Sequence, residues 1–146
     1  MEFSSDIFIL DNSVLAKCFF KEKGTEEANF FLRGLDQGEI KIILPEICFA
    51  EFGSTCLKQV RRRIISIDEA LRHVDSLIKL PVQWFPDREL LNVAVENAYY
   101  FDISIYDALY VSLAEVYVSP LVTADKALYN ACHGRFDFIE FLEDVK

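Results

Sequence analysis

The sequence predicts an α/β fold, a three-layer α/β/α sandwich around a mostly parallel sheet of about five strands. Three observations carry this expectation. Residues 6–10 close with Ile7, Phe8, Ile9 and Leu10, an unbroken β-prone apolar run that suits a strand covered on both faces, as in a parallel sheet. Short runs of that kind alternate along the chain with segments of helical periodicity. Residues 105–114, Ile-Tyr-Asp-Ala-Leu-Tyr-Val-Ser-Leu-Ala, are almost wholly apolar, and a helix apolar on nearly every side is a buried one.

Taken in order, the first strand stops at Asp11, Asn12 and Ser13, polar residues that can cap a helix over the apolar stretch that follows. A loop at 21–25 leads to a second helix at 26–35, whose end Gly34 and Gly38 bracket. Residues 41–44 form a second strand. Pro45 sits where a first helical residue is tolerated, and 46–63 has helical composition weakened only at Gly53. Residues 66–79 form an amphipathic helix with Ile67, Ala70, Leu71, Val74, Leu77 and Ile78 at three- and four-residue spacings, and Pro81 ends it. Residues 82–85 make a third strand, and Pro86-Asp87 opens a helix to Tyr100. The buried helix at 105–114 follows, then a fourth strand at 121–123, a short helix at 126–132 and a fifth strand at 136–139.

The totals bound the function. A chain of 146 residues reads as one domain, residues 1–146, able to bury roughly two-thirds of its unfolded surface. The apolar runs are far shorter than the ~20 residues that span a bilayer, and the N-terminus Met-Glu-Phe-Ser-Ser-Asp lacks the basic segment of a secretory signal. These features place the protein in the cytoplasm, away from membranes. Cys18, Cys48, Cys56 and Cys132 are scattered without a Cys-x-x-Cys, so they are read as reduced core residues rather than as a zinc or redox site. The two histidines, His73 and His133, lie in no nucleophile motif. A net charge of −9 argues against broad adhesion to nucleic-acid phosphates. A local basic strip remains: Arg61, Arg62 and Arg63, with Lys58 one turn earlier. It reads either as cations placed favourably at a helix C-terminus or as a contact for an acidic polymer.

Asp107 sets the functional question. An ionised carboxylate in apolar surroundings costs several kcal/mol unless a donor set, a base or a metal compensates it. Ser104, three residues earlier, completes a capping box, which accounts for Asp107 taken alone. Other acids keep it company. In an open parallel sheet, sites form beyond the carboxyl ends of the strands, where strand order reverses. Asp11 directly follows the first strand, Asp125 follows the fourth by two residues, Glu51 lies in the helix after the second, and Asp107 opens the helix feeding the fourth. Asp11 and Asp125 also fit as helix caps, and Glu51 as an exposed helix residue beside Ile47 and Cys48. Four carboxylates together raise one another's pKa unless a cation sits among them, and oxygen-only ligands select Mg²⁺ or Mn²⁺. Such an ion can activate water against a phosphodiester, so no protein nucleophile is required.

Leu10-Asp11-Asn12-Ser13, Glu51 at the end of the 45–51 stretch, Tyr106-Asp107-Ala108-Leu109-Tyr110 followed by Leu113-Ala114-Glu115, and Leu121-Val122-Thr123-Ala124-Asp125 resemble, in this order, the acidic motifs of PIN domains. The likeness runs from Ile7 to Phe138 and is nearest to the small toxins of VapBC-type toxin–antitoxin pairs. The resemblance implies a five-stranded parallel sheet, a Mg²⁺- or Mn²⁺-dependent endoribonuclease acting on RNA, a homodimer and inhibition by a cognate antitoxin protein. By it, Asp11, Glu51, Asp107 and Asp125 form the catalytic, metal-holding acidic site, with Asp11 and Asp107 the direct ligands and Glu51 and Asp125 acting through water or on protons. Ser13 then matches the small polar position that holds the first loop, and Thr123 the hydroxyl that positions the last acid. Lys17, Lys58, Arg61, Arg62, Arg63 or Lys126 would hold the substrate.

Two alternatives stay open on the residues. A haloacid-dehalogenase-type phosphatase also places an Asp after its first strand, but it wants a second Asp where this chain has Ser13. A PIN-like module that binds RNA or a protein without cleaving would retain the same sequence pattern.

Overall fold

The computed structural model describes residues 6–145. The N-terminal stretch read above for a signal falls, apart from Asp6, outside the described residues. Five strands form one parallel sheet in the order β3-β2-β1-β4-β5: β1 Ile7–Leu10, β2 Lys41–Pro45, β3 Gln83–Phe85, β4 Leu121–Thr123 and β5 Ile139–Phe141. In β1, Phe8, Ile9 and Leu10 are all buried, as a central strand with helices on both sides requires. Register is set on one side by Phe8 opposite Ile42 and on the other by Leu10 opposite Val122.

Helices α1 (Asn12–Phe19) and α2 (Thr25–Asp36) connect β1 to β2, and α3 (Ile47–Arg61) and α4 (Ile67–Lys79) connect β2 to β3. A 3₁₀ turn at Asp87–Leu90, α5 (Leu91–Phe101) and α6 (Ile105–Tyr117) lead to β4, and α7 (Lys126–Cys132) leads to β5. Right-handed crossovers put α1 to α4 on one face and α5 to α7 on the other, because the chain reverses direction across the sheet between β3 and β4. Both α1 and α6 pack on β1 and β4. Seven consecutive residues of α6, Ala108 to Ala114, are buried, which is why its sequence shows no polar face. A second cluster of Phe52, Cys56, Ala70 and Leu77 joins α3 to α4, with Phe19 at the end of α1 and Phe20 just beyond it packed against it. All four cysteines are free thiols, and all but Cys18 are fully buried. Among the described residues, no helix is long and apolar enough to cross a membrane.

Three boundaries and one helix face differ from expectation. Pro45 ends β2 opposite Phe85 instead of opening α3, a position where a residue without an N–H is tolerated. Helix α3 stops at Arg61 because Arg63 turns into the left-handed region, φ 61°. The expected fifth strand at 136–139 lies instead at Ile139–Phe141: Phe136 packs its ring on Phe101 and Phe138 from a turn, so this apolar run is spent on ring packing before the strand begins. On α4 only Ala70 and Leu77 of the apolar stripe are buried, while Ile67, Leu71 and Ile78 face solvent, because α4 packs mainly on α3 rather than on the sheet.

Candidate active site

The reversal of strand order falls between β1 and β4, and the cleft beyond their carboxyl ends is where a parallel sheet presents its ligand site. Asp11 leaves β1 at that point and is only 4% exposed. Its Oδ1 accepts from the Val14 N–H at 3.2 Å, which caps α1, and from the Ser13 hydroxyl; its Oδ2 accepts from the Thr123 hydroxyl at the end of β4. Each hydroxyl has one hydrogen to give and lone pairs to spare. Ser13 Oγ accepts from the Ala124 N–H at 2.9 Å, and Thr123 Oγ1 accepts from the Asp125 N–H at 3.0 Å. The loops after β1 and β4 are thereby tied together through Asp11.

Glu51 sits on α3 and Asp107 on the first turn of α6. Ser104 Oγ accepts from the Asp107 N–H at 3.1 Å, the first half of the expected cap, and the Ser104 side chain also hydrogen-bonds to the Asp107 carboxyl. Asp125 caps α7 by accepting from the Ala127 and Leu128 N–H groups at 2.9 and 3.2 Å. Asn12, next to Asp11, donates to Thr55 Oγ1 at 2.9 Å, and Thr55 donates to the Glu51 carbonyl. The α3 turn that carries Glu51 is thus anchored to the start of α1.

Electrostatics joins the four acids. Burial pushes the Asp11 carboxyl up to about 7; its hydrogen bonds from Ser13, Thr123 and Val14 oppose the rise, and the Asp107 charge adds to it. Burial likewise raises Glu51, opposed by a hydrogen bond from Tyr110 and reinforced by Asp107. Asp107 is raised by burial and then by Asp125, opposed by a hydrogen bond from Ser104. Asp107 is therefore the common electrostatic neighbour of Asp11, Glu51 and Asp125. Such mutual repulsion is what a cation relieves.

The sequence profile of the PIN domain matches residues 8–134. The chain belongs to the PIN domain family. Among solved structures, PAE2754 from Pyrobaculum aerophilum is 23% identical, with a TM-score of 0.65 over 93% of this chain and 83% of that one. VapBC2 from Rickettsia felis, crystallised with a DNA fragment from their promoter, is 15% identical, with a TM-score of 0.68 over 92% and 98%. Mycobacterium tuberculosis VapC20, a toxin that cleaves the sarcin–ricin loop, is 15% identical, with a TM-score of 0.63 over 86% and 95%. At these identities the likeness is one of fold. A comparison by sequence with curated proteins gives no match. Membership in the PIN domain family leaves no place for the phosphatase reading.

In this PIN domain the four expected acids are linked through Asp107, whose charge acts on Asp11 and Glu51 and which feels that of Asp125, with Ser13 and Thr123 between the loops of Asp11 and Asp125. Their spacing is open: among the described residues no group of three His, Cys, Asp or Glu side chains meets at the distance that encloses an ion. The all-oxygen donor set suits a hard cation that keeps several of its waters, rather than one wrapped directly by protein. Arg61, Arg62 and Arg63 are exposed but belong to the far end of α3. Ten residues separate Arg61 from Glu51, about 15 Å at the helical rise. Lys17 is engaged with Glu22 at 3.3 Å and the Lys23 carbonyl at 2.7 Å, and Lys126 lies over the Phe141 ring at 4.6 Å.

Two further side chains belong to this neighbourhood. Asp87, expected only to open a helix, accepts from the Ile47 N–H at 3.3 Å and so serves the start of α3, and its charge also pushes Glu51 up. Tyr110, buried in α6, donates its hydroxyl to Glu51 Oε1 at 2.6 Å. Its position three residues after Asp107 puts both on one helix face, which was visible in the sequence, although its partner 59 residues away was not.

Proposed function

We propose that this PIN domain, a single domain over residues 1–146, is a divalent-metal-dependent endoribonuclease and the toxin of a toxin–antitoxin pair. The observation that carries the reading is the electrostatic coupling of Asp107, in the first turn of α6, to Asp11, Glu51 and Asp125. The fold shared with a toxin that cleaves the sarcin–ricin loop and with a VapBC complex supports it.

Asp11 and Asp107 would hold Mg²⁺ or Mn²⁺ most directly, and Glu51 and Asp125 would act through water. When bound, the ion would supply Lewis-acid stabilisation of phosphodiester charge and a lowered pKa for the attacking water. Ser13 and Thr123 hold the Asp11 carboxylate with both oxygens directed, which spares reorganisation during reaction. Glu51, whose pKa is raised by burial, is suited to accept a proton from the attacking water. Asp125 keeps its carboxylate on the α7 terminus, two residues past β4. The exposed strip of Arg61, Arg62 and Arg63 would meet RNA phosphates distant from the scissile one.

A cognate antitoxin and a second copy of the chain complete the proposal. Helix α5 exposes Leu91, Val95 and Tyr99 at four-residue spacing, one apolar stripe of the kind that partners cover. A cytoplasmic setting accords with four free thiols.

The test is cleavage of single-stranded RNA with Mn²⁺ by the wild-type chain and by Asp107→Asn. Cleavage by the first and none by the second, with unchanged circular dichroism, is the expected result; equal cleavage by both ends the reading. The open spacing of the acids favours one rival, a PIN-like module that binds RNA or protein without cutting. Calorimetric titration with Mn²⁺ separates the two, since such a module shows no binding that depends on Asp107.

A further inference from the structure

We propose that Tyr110 is a positioning residue for Glu51, a part of the site carried on α6 that directs the acid carried on α3; the inference rests on the nuclease reading above. Glu51 has three rotatable side-chain bonds and is only partly buried, so left to itself it would sample several rotamers at the rim of the cleft. Tyr110 is 1% exposed. A phenol held by packing has little freedom, and its hydroxyl donates to Glu51 Oε1 at 2.6 Å.

Among the described residues no other side chain donates to the Glu51 carboxylate. Each of the other acids has its own orienting donors: Ser13 and Thr123 for Asp11, Ser104 for Asp107, and the α7 N–H groups for Asp125. Tyr110 fills that role for Glu51. One carboxylate oxygen is fixed, and the other remains for the cleft.

Two features separate this from a buried tyrosine that merely finds an acceptor. Tyr110 and Asp107 share one face of α6, so the same rigid helix sets the distance between the Asp107 carboxylate and the group that aims Glu51. The backbone of Glu51 is held independently, its carbonyl accepting from Thr55, which Asn12 ties to the start of α1. With the main chain anchored on one side and the carboxylate on the other, Glu51 is directed by elements whose positions the sheet determines. Sites perform when their supporting shell fixes the reacting groups to within a fraction of an ångström.

The experiment compares the full chain with Tyr110→Phe, Glu51→Gln and the double variant, using single-stranded RNA with Mn²⁺ for kcat and KM and calorimetry for Mn²⁺ affinity. Tyr110→Phe keeps the ring and removes the hydroxyl, which donates to Glu51 and also meets the Cys48 thiol. Its kcat is expected to fall about tenfold with KM unchanged, since a misaimed group costs rate rather than ground-state binding. In the Glu51→Gln background the same change should cost nothing further. Wild-type kcat in Tyr110→Phe, or a loss that persists undiminished beside Glu51→Gln, overturns the proposal. A wild-type chain that cleaves no RNA defeats the nuclease reading by itself, and Mn²⁺ affinity then decides Tyr110: weaker binding in Tyr110→Phe but not in the double variant relative to Glu51→Gln supports it, and equal affinity, or no Mn²⁺ binding at all, refutes it. Should Tyr110→Phe fail to fold, Glu51→Asp reads the same pairing, being equally charged but one methylene too short to reach the phenol. A kcat near that of Glu51→Gln is expected there, and wild-type kcat counts against the proposal.

Discussion

Thr123 donates its hydroxyl to Asp11 across 112 residues of chain, and with its oxygen it accepts from the Asp125 N–H at 3.0 Å. One buried side chain therefore serves two acids just beyond the ends of neighbouring strands. Thr123→Val keeps the shape and removes both hydrogen bonds. Hydrogen bonds to charged groups contribute about 1.5–3 kcal/mol, and a loss of that size in urea denaturation is expected together with lost RNA cleavage. Unchanged stability would mean that the hydroxyl is idle.

Asp11 predicts how stability varies with pH in the absence of metal. Its carboxyl is raised to about 7 from 3.8, so between those values the folded chain binds more protons than the unfolded one, and stability falls as pH rises. Each pKa unit corresponds to about 1.4 kcal/mol, so ionising Asp11 costs on the order of 4 kcal/mol. The melting temperature should drop from pH 4.5 to pH 7.5, and Asp11→Asn should flatten that slope. Mn²⁺ should restore stability at the upper end, where the carboxylate is free to bind it.

Asp107→Asn removes the charge that acts on both Asp11 and Glu51. Both should then titrate at lower pH in carboxyl-resolved NMR, and the metal-free chain should be at least as stable as wild type. Titration curves that do not move would show that the acids are separated by more solvent than the structure indicates.

Reversing the charge of Arg61, Arg62 and Arg63 should weaken RNA binding and flatten its salt dependence by about one unit of slope for each phosphate no longer neutralised. Because the strip lies at the opposite end of α3 from Glu51, kcat at saturating RNA should be unaffected. An unchanged salt slope would move the substrate-holding cations elsewhere or onto a partner.

The fold was legible because its strands are short and unmixed: Ile7 to Leu10 and Leu121 to Thr123 suit strands of a covered parallel sheet, and they alternate with helical segments. Asp11 and Asp125 were legible for the same reason, each coming straight off a strand end where the sheet opens. Asp107 was betrayed by its apolar surroundings. Tyr110 carried no such mark, since a tyrosine in a buried helix reads as packing until its acceptor is known. The same limit applies to Asp87, whose partner is a backbone N–H at the head of a different helix. The fifth strand slipped by three residues because Phe136 and Phe138 have strand-like composition while their rings fill a gap beside Phe101. On α4, periodicity foretold an apolar face but not that its main packing partner would be a single helix, which leaves Ile67, Leu71 and Ile78 uncovered.

Two hydroxyls stitch the turn after the first strand to the turn after the fourth, so the pocket comes into being only when those strands lie side by side. A nascent polypeptide leaving the ribosome holds Asp11, Glu51 and Asp107 well before it holds anywhere to put them to use. Whatever reaction the finished molecule performs is thereby withheld during synthesis until the segment bearing Thr123 has emerged and zipped against the first strand.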